Sequence, residues 1–427
     1  MSLSWVRRTI STTILGAISC LNVTAQAGAD ANNPAKPSPA VPITTQIKKT
    51  VVFLQADCLH DFGPEIAQLT PDVLAKLTPQ QVTAMKEQLT TVIMRLQKLK
   101  QSMAKLTSEE TTMLKPEALF GSELPHVGNL VVKMMNLTAE DIKTLTPEET
   151  ATLPADSHLG TGFVVLVPDE RLPVPAQSEG KAFGFGYLVT NRHVAQPGVE
   201  DGKPCQVLNY FILLNRKADS THNAPYGETL RLLGSWQFST DDSVDLAIIN
   251  FSASPEVYDY QRIPVAMFTT QEMVEKKLVV EGDPVLFSGL FIQAFQKVHT
   301  LEPIVRSGAL AMVPNEAMET TLHKLGRVYL AETHAFAGNS GSPIFVDTNK
   351  FNNIIGGPSY KLLGVISGEV QETSDFTLHV ITSYSANVVA NSDVSVVVPA
   401  NEIKSILYSP ALQAGRDAFV AQTLRTK

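Results

Sequence analysis

The spacing of apolar residues changes twice along this chain and divides it into three textures. Lys49-Thr50-Val51-Val52-Phe53-Leu54-Gln55 is β-branched and apolar, which predicts a short strand. From about Gly63 to Leu153 the period becomes helical. Val82, Met85, Leu89, Val92, Ile93, Leu96 and Leu99 fall at helical spacing between Gln80 and Met103. In the same stretch Leu-Thr-Pro recurs at 69–71, 77–79 and 145–147, with related forms at Leu106-Thr107-Ser108 and Leu137-Thr138-Ala139. Thr is a good N-cap, Pro fits the first helical position, and an acid or amide three residues after Thr closes a capping box. Thr146 with Glu149 keeps that pattern; Thr70 with Val73 breaks it. After Thr161 the helical period disappears. Short apolar runs at Phe163–Val167, Tyr187–Val189, Phe211–Leu214, Leu246–Phe251, Val285–Phe287, Leu362–Ile366 and Val394–Val398 are broken by Gly, Pro and Asn turns. That rhythm predicts an all-β barrel or sandwich. Asn401 to Leu424 is helical in pattern again.

Composition narrows the class of protein. The chain has 427 residues, enough for two domains or one composite domain with a large insertion. At 44% hydrophobic and 18% charged residues it has globular rather than disordered composition. A formal net charge of −8 supplies no basic field for a polyphosphate, so nucleic acid is not expected as a partner. Arg7 and Arg8, the mostly apolar Thr9–Val23 and the small residues of Ala25-Gln26-Ala27 form an export-signal pattern over 1–27. The Ala-, Asn- and Pro-rich stretch that follows, 28–42, is expected to be a flexible linker. The protein is therefore expected in the periplasm or outside the cell, without a membrane span once the signal is removed. Two variants remain open: a twin-arginine signal, and a lipid-anchored form through Cys20, since Ala17-Ile18-Ser19-Cys20 loosely resembles a lipobox. Cys58 and Cys205 either pair or remain buried thiols. Nothing has zinc-site spacing, and no metal or cofactor is expected.

Three segments carry candidate chemistry. In Ala337-Gly338-Asn339-Ser340-Gly341-Ser342-Pro343, glycines flank a serine on a tight turn, where backbone N–H groups can converge on a developing oxyanion. By itself this is an ordinary Gly/Ser/Asn turn. In Phe185 to Ala195 an apolar strand leads into His193, although a lone histidine is usually structural. In Ser243-Val244-Asp245-Leu246-Ala247-Ile248-Ile249 an acid immediately precedes a buried strand, the place from which it can orient an imidazolium. Asp241 and Asp242 compete, but neither abuts the strand. Jointly the three are informative through their order, His, Asp, Ser. That is the order of the chymotrypsin-like enzymes and differs from both the subtilisins and the α/β-hydrolases. Ser342 also breaks the Gly-x-Ser-x-Gly pattern of a nucleophile elbow.

With these motifs in place, the sequence resembles the trypsin-like serine peptidases of the chymotrypsin fold, closest to the bacterial Deg/HtrA-like branch. Gly160-Thr161-Gly162-Phe163 resembles the strand before the catalytic histidine, and Tyr187–His193 the strand that carries it. Asp245-Leu246-Ala247 matches the acid motif, and Gly338–Pro343 is close to Gly-Asn-Ser-Gly-Gly-Pro. Glu281–Val285, Arg306-Ser307-Gly308, Leu363–Gly368 and Val397–Asn401 resemble strands of the second barrel. The resemblance covers about 43–59 and 159–408.

It implies a mainly β, double six-stranded barrel with an α-helical insertion: 43–59 and 159–270 as the first barrel, 60–158 as the insertion, 271–408 as the second barrel and 409–427 as a C-terminal tail. The insertion is expected to be a packing or lid element rather than a protein-binding module. With only this tail after the second barrel, no PDZ domain is expected. The resemblance further implies a triad of His193, Asp245 and Ser340, with an oxyanion hole from the N–H groups of Gly338 and Ser340. Ser367, Gly368 and Glu369 are expected to bind substrate, and His334 to lie on the floor of the specificity pocket, favouring acidic side chains or plugging it. Protein or peptide substrates follow, and a homo-oligomer is an open expectation, since trimers are common in that branch. Asn339 stands where digestive relatives place an Asp that pairs with a newly cut N-terminus, so no such activation is expected. A catalytically idle peptide-binding or chaperone-like scaffold and another serine hydrolase such as an esterase are the rival readings.

Overall fold

The computed structural model describes residues 42–68, 71–114, 124–172, 184–219, 222–291, 300–348, 360–379 and 383–425. The expected signal and nearly all of the linker lie outside the described residues, as does the Thr70 motif.

The chain enters through the helix Ile43–Thr50, where a strand beginning at Lys49 is expected. Ile43 and Ile47, one turn apart, both face the core, and the Thr50 hydroxyl donates to the Ile47 carbonyl at 2.7 Å. The strand itself, β1 (Val51–Leu59), pairs antiparallel with β2 (Ala155–Pro168) from Val51↔Phe163 to Leu59↔Ala155. The helical stretch therefore emerges from the far end of one hairpin and leaves the ladder intact. β2 starts at Ala155, a few residues before the expected boundary, because the ladder continues to the last residue of β1.

Within the insertion, the repeated Leu-Thr motifs are helix starts. Thr78 with Gln81, Thr107 with Glu110, Thr138 with Asp141 and Thr146 with Glu149 each form a reciprocal capping box. The helix Pro79–Leu96 buries Met85, Leu89, Ile93 and Leu96 and packs against the helix Leu124–Met135. Its apolar period is spent on packing within the insertion.

Six further strands complete the first lobe: β3 (Gly184–Thr190), β4 (Val207–Arg216), β5 (Tyr226–Arg231), β6 (Gln237–Phe238), β7 (Ala247–Asn250) and β8 (Ile263–Pro264). They form an eight-stranded sheet in the order β5-β4-β1-β2-β3-β7-β6, with β8 paired to β2. The expected six-stranded ring is thus larger here, and among the described residues β5 and β6 at the two ends of the path share no ladder. The sheet nevertheless rolls up. Ile212 and Leu214 of β4 meet Ile249 of β7 and the adjoining Phe251 in one core, although three strands separate β4 from β7 along the sheet.

The second lobe is a closed barrel. β9 (Pro284–Gly289), β10 (Ile304–Met312), β13 (Tyr329–Glu332), β14 (Pro343–Asp347), β15 (Tyr360–His379) and β16 (Ser383–Pro399) close in the order β10-β13-β16-β15-β14-β9. A small hairpin, β11 (Met318–Glu319) with β12 (Leu325–Gly326), projects between β10 and β13. The fold is mainly β, with the described helices lying ahead of β1, in the insertion, in the connections and at 400–425.

One apolar cluster fixes the lobes against each other. Phe163, Tyr187, Leu246 and Ile248 from the first share it with Phe345, Leu362, Val365 and Val398 from the second. The expected C-terminal tail is largely the helix Pro410–Arg425. Its buried Arg416 donates from Nη1 to the Tyr187 hydroxyl at 3.0 Å and to the Leu407 carbonyl at 2.8 Å.

Cys58 and Cys205 form a disulfide with a Cα–Cα distance of 5.7 Å, bridging 147 residues. It ties β1, beside the root of the insertion, to the loop that follows His193. Closing so long a loop restricts the unfolded chain, so reduction should lower the free energy of unfolding by about 2–5 kcal/mol. Denaturant titration with and without reductant measures this, and an unchanged midpoint would contradict it.

Candidate active site

His193 lies in the short helix Arg192–Ala195 directly after β3. Buried Asn191 precedes it and donates from Nδ2 to the Asp245 carbonyl at 2.9 Å, joining the end of β3 to the segment before β7. The Tyr210 hydroxyl donates to the Ala195 carbonyl at 2.6 Å and holds the other end of the turn. With the ring fixed, His193 Nδ1 lies 2.7 Å from Asp245 Oδ2, and the His193 backbone N–H donates to Asp245 Oδ1 at 3.1 Å.

Asp245 is fully buried, at 0% exposure, so its charge depends on donors within the protein. Besides His193 it receives the Ser367 hydroxyl on Oδ2 at 2.5 Å, and the Thr321 hydroxyl lies 2.9 Å from the same oxygen. Burial alone would push its carboxyl up. The His193 charge, the hydrogen bonds from His193 and that from Ser367 overcome burial and hold it below the usual carboxylate range. His193 shows the converse balance. Burial pushes its pKa down, but Asp245, by charge and hydrogen bond, and the charge of Glu200 raise it above the ordinary histidine value.

Ser340 reaches the same cavity from the second lobe. The cavity has a volume of about 480 Å³, with His193 and Ser340 in its wall, Ala335–Ala337 on one side and Ile366–Glu369 on another. Two glycines make the serine turn. Gly338 and Gly341 sit at φ +93° and +89°, a region open chiefly to glycine, and a Cβ on Gly341 would lie 1.8 Å from the Thr161 carbonyl oxygen. Thr161, in the middle of β2, clasps the turn: its N–H donates to the Ser340 carbonyl at 2.9 Å and its hydroxyl to the Gly338 carbonyl at 2.7 Å. With their carbonyls so engaged, the N–H groups of Gly338 and Ser340 bond to nothing among the described residues.

Asn339 is buried and wired in place. Its Oδ1 accepts the Phe336 N–H at 2.9 Å and its Nδ2 donates to the Leu290 carbonyl at 2.6 Å. Ser342, where the resembling family has glycine, fits because its hydroxyl takes the space that a Cβ on Gly289 would fill, at 2.0 Å.

The Ser340 hydroxyl donates to the Ser367 carbonyl at 3.2 Å rather than to His193. Ser367 occupies a register shift between Ile366 and Gly368 in the β15–β16 ladder, and such a bulge re-aims a side chain. Its hydroxyl thereby points at Asp245 while its carbonyl faces the cavity. β14 pairs with β15 only from Tyr360 to Val365, so among the described residues no strand pairs with Ser367 and Gly368 on that side.

His334 departs from expectation. It does not line the cavity: its side chain is 60% exposed and its Nδ1 lies 2.5 Å from Asp393 Oδ1. Carboxylate pairing at the surface takes it away from the pocket floor, and the pocket side is left to Ala335, Phe336 and Ala337. Three participants carried no signal in the sequence. Glu200 and His323 line the cavity, and Thr321 reaches Asp245 from a turn with no motif.

Two facing β lobes, with an imidazole–carboxylate pair on one and a serine turn on the other, define a chymotrypsin-like arrangement. No protein-family model matches the chain, and no curated protein matches it. Among solved structures, it is similar to the Rv3671c protease of M. tuberculosis H37Rv in its inactive form, with 18% identity and a TM-score of 0.29 over 58% of this chain and 82% of that one. Deg5 aligns at 16% identity and a TM-score of 0.29, over 49% and 74% of the two chains. The HtrA-type protease AlgW with a decapeptide aligns at 16% identity and a TM-score of 0.30, over 60% and 54%.

Proposed function

We propose that this chain is an exported serine endopeptidase that cuts peptide bonds through an acyl-enzyme. The observation that carries the reading is the His193–Asp245 pair opening onto the same cavity as Ser340, beside two unengaged backbone N–H groups. Ser340 Oγ attacks the scissile carbonyl carbon while His193 Nε2 takes its proton. His193 then returns the proton to the leaving amine, and water repeats the cycle on the ester. Asp245 holds the imidazole with its proton on Nδ1. Gly338 and Ser340 N–H groups receive the oxyanion; removing one such donor typically costs about 2.7–4 kcal/mol.

The edge of β15 at Ser367 and Gly368, beyond the last β14 partner, suits an extended peptide added as a strand. A substrate N–H that takes the Ser367 carbonyl displaces the Ser340 hydroxyl from it and frees that hydroxyl for His193. Arming by substrate follows from this exchange. Asn339, satisfied on both amide atoms by the Phe336 N–H of its own turn and the Leu290 carbonyl after β9, needs no new N-terminus to order the loop.

No described helix is long and apolar enough to cross a membrane. Export is read from the residues 1–27 alone, and substrates are proteins or peptides. The test is digestion of a casein-like protein by the purified chain. Internal fragments are expected; turnover of esters without peptide cleavage would replace this reading with another serine hydrolase. The resting bond from Ser340 to Ser367 gives the idle scaffold its one point in favour, and peptide binding without any cleavage would establish it.

Acid sensitivity follows from the raised His193 pKa. Catalysis needs the neutral imidazole, so kcat/KM should fall as pH drops through a value above that of ordinary histidine. Glu200→Gln removes a charge that favours the imidazolium and should move this acid limb to lower pH. A pH profile of kcat/KM reads the shift; an upward shift would contradict it.

A further inference from the structure

We propose that Thr321 is a positioning residue for the His193–Asp245 pair, carried to it from the second lobe by the β11–β12 hairpin. The inference rests on the triad reading above, but its test does not need turnover.

The Thr321 hydroxyl is 2.9 Å from Asp245 Oδ2 and 2.6 Å from the Ser367 hydroxyl, which is itself 2.5 Å from Oδ2. Each hydroxyl has one proton to give. With Ser367 donating to Oδ2, the Thr321 proton goes either to Oδ2 or to Ser367 Oγ. In both cases it draws charge away from the oxygen that His193 Nδ1 faces. Hydrogen bonds to a carboxylate stabilise its ionised form and reduce the share of its charge that raises the pKa of a neighbouring imidazole.

The hairpin is attached where this matters. Lys324 Nζ pairs with Asp242 Oδ2, and Gly326 lies against Ser243, whose hydroxyl would be 2.6 Å from a Cβ there. The Thr321 methyl packs on Gly368, at 2.7 Å from where a Cβ would be. Inside the turn, the Thr320 N–H donates to the Lys324 carbonyl at 2.8 Å, and the His323 N–H to the Thr320 carbonyl at 2.9 Å. Contacts at Asp242, Ser243 and Asp245 make the turn follow the segment that carries the acid. A hydroxyl there serves more than the solubility of a loop.

The test is a pH titration of the His193 ring by NMR in the full chain, with the resonance assigned by its loss in His193→Asn. Asp245, Glu200 from the loop after the histidine helix, His323 from the hairpin and Glu369 from β15 are the titratable groups around the cavity. All stay in place in the variants. Thr321→Val keeps the shape and removes the donor, and should raise the midpoint by about one pH unit. Thr321→Ser restores the hydroxyl and should return the midpoint to the wild-type value. Where turnover is measurable, Thr321→Val should lower kcat about tenfold with little change in KM, and Thr321→Ser should recover it. If Thr321→Val does not fold, Thr321→Cys, with its weak S–H donor, replaces it with the same expected direction. A midpoint equal to or below wild type in whichever of Thr321→Val and Thr321→Cys folds overturns the proposal. A raised midpoint in a chain that cleaves no peptide upholds it and refutes the peptidase reading instead.

Discussion

Replacing Ser340 with Ala should lower kcat for peptide hydrolysis by at least about 10⁴-fold while leaving the protein folded. The two halves of that expectation have separate origins. The hydroxyl is the atom that forms the acyl bond in the proposed reaction, so its loss removes that covalent route. Its structural contribution is one hydrogen bond to the Ser367 carbonyl at 3.2 Å, with a net value of about 1 kcal/mol. The turn itself is held by Thr161 and Asn339, which the substitution does not touch. Thermal unfolding beside a progress curve on a peptide substrate measures both. A folded variant that keeps wild-type activity would remove Ser340 from the chemistry.

Asp245→Asn should cost about 10⁴-fold in kcat near neutral pH, for a different reason. The carboxylate accepts the His193 ring and backbone N–H groups and the Ser367 hydroxyl, with the Thr321 hydroxyl 2.9 Å from Oδ2. An amide in the same buried place has one accepting atom and turns an N–H₂ toward donors. If that N–H₂ faces Nδ1, the ring must keep its proton on Nε2, where it cannot accept one from Ser340. Steady-state kinetics on the folded variant checks this. A loss below tenfold would mean that the tautomer is set by something other than Asp245.

The elements that place these groups differed in how well the sequence displayed them. The Leu-Thr motifs were legible because a capping box is local: four residues contain both partners, and the structure makes each described box as written. The β rhythm was legible through its apolar runs, but the number of strands in a lobe was not. That number depends on which short segments, such as Gln237–Phe238 and Ile263–Pro264, find a neighbour. The helix Ile43–Thr50 was missed because β-branched Ile and Thr favour strands, whereas burial of Ile47 in the shared core decided the outcome.

At the site, His193 and Asp245 could be paired from chain order and their strands. Thr321 and Glu200 could not, since each is an ordinary residue brought close only by the closing of a turn. His334 shows the opposite failure. Its count before Ser340 suggested a pocket floor, but the side chain pairs with a carboxylate on β16 at the surface.

The central claim is that Ser340 is a nucleophile activated by His193, and labelling with a fluorophosphonate tests it most directly. The phosphorus is attacked only by an activated hydroxyl, fluoride leaves, and mass spectrometry locates the adduct. The wild-type chain should take up one adduct, on Ser340, with none in Ser340→Ala and much slower labelling in His193→Ala. A folded wild-type chain that takes no adduct, or takes it on another serine, would contradict the account.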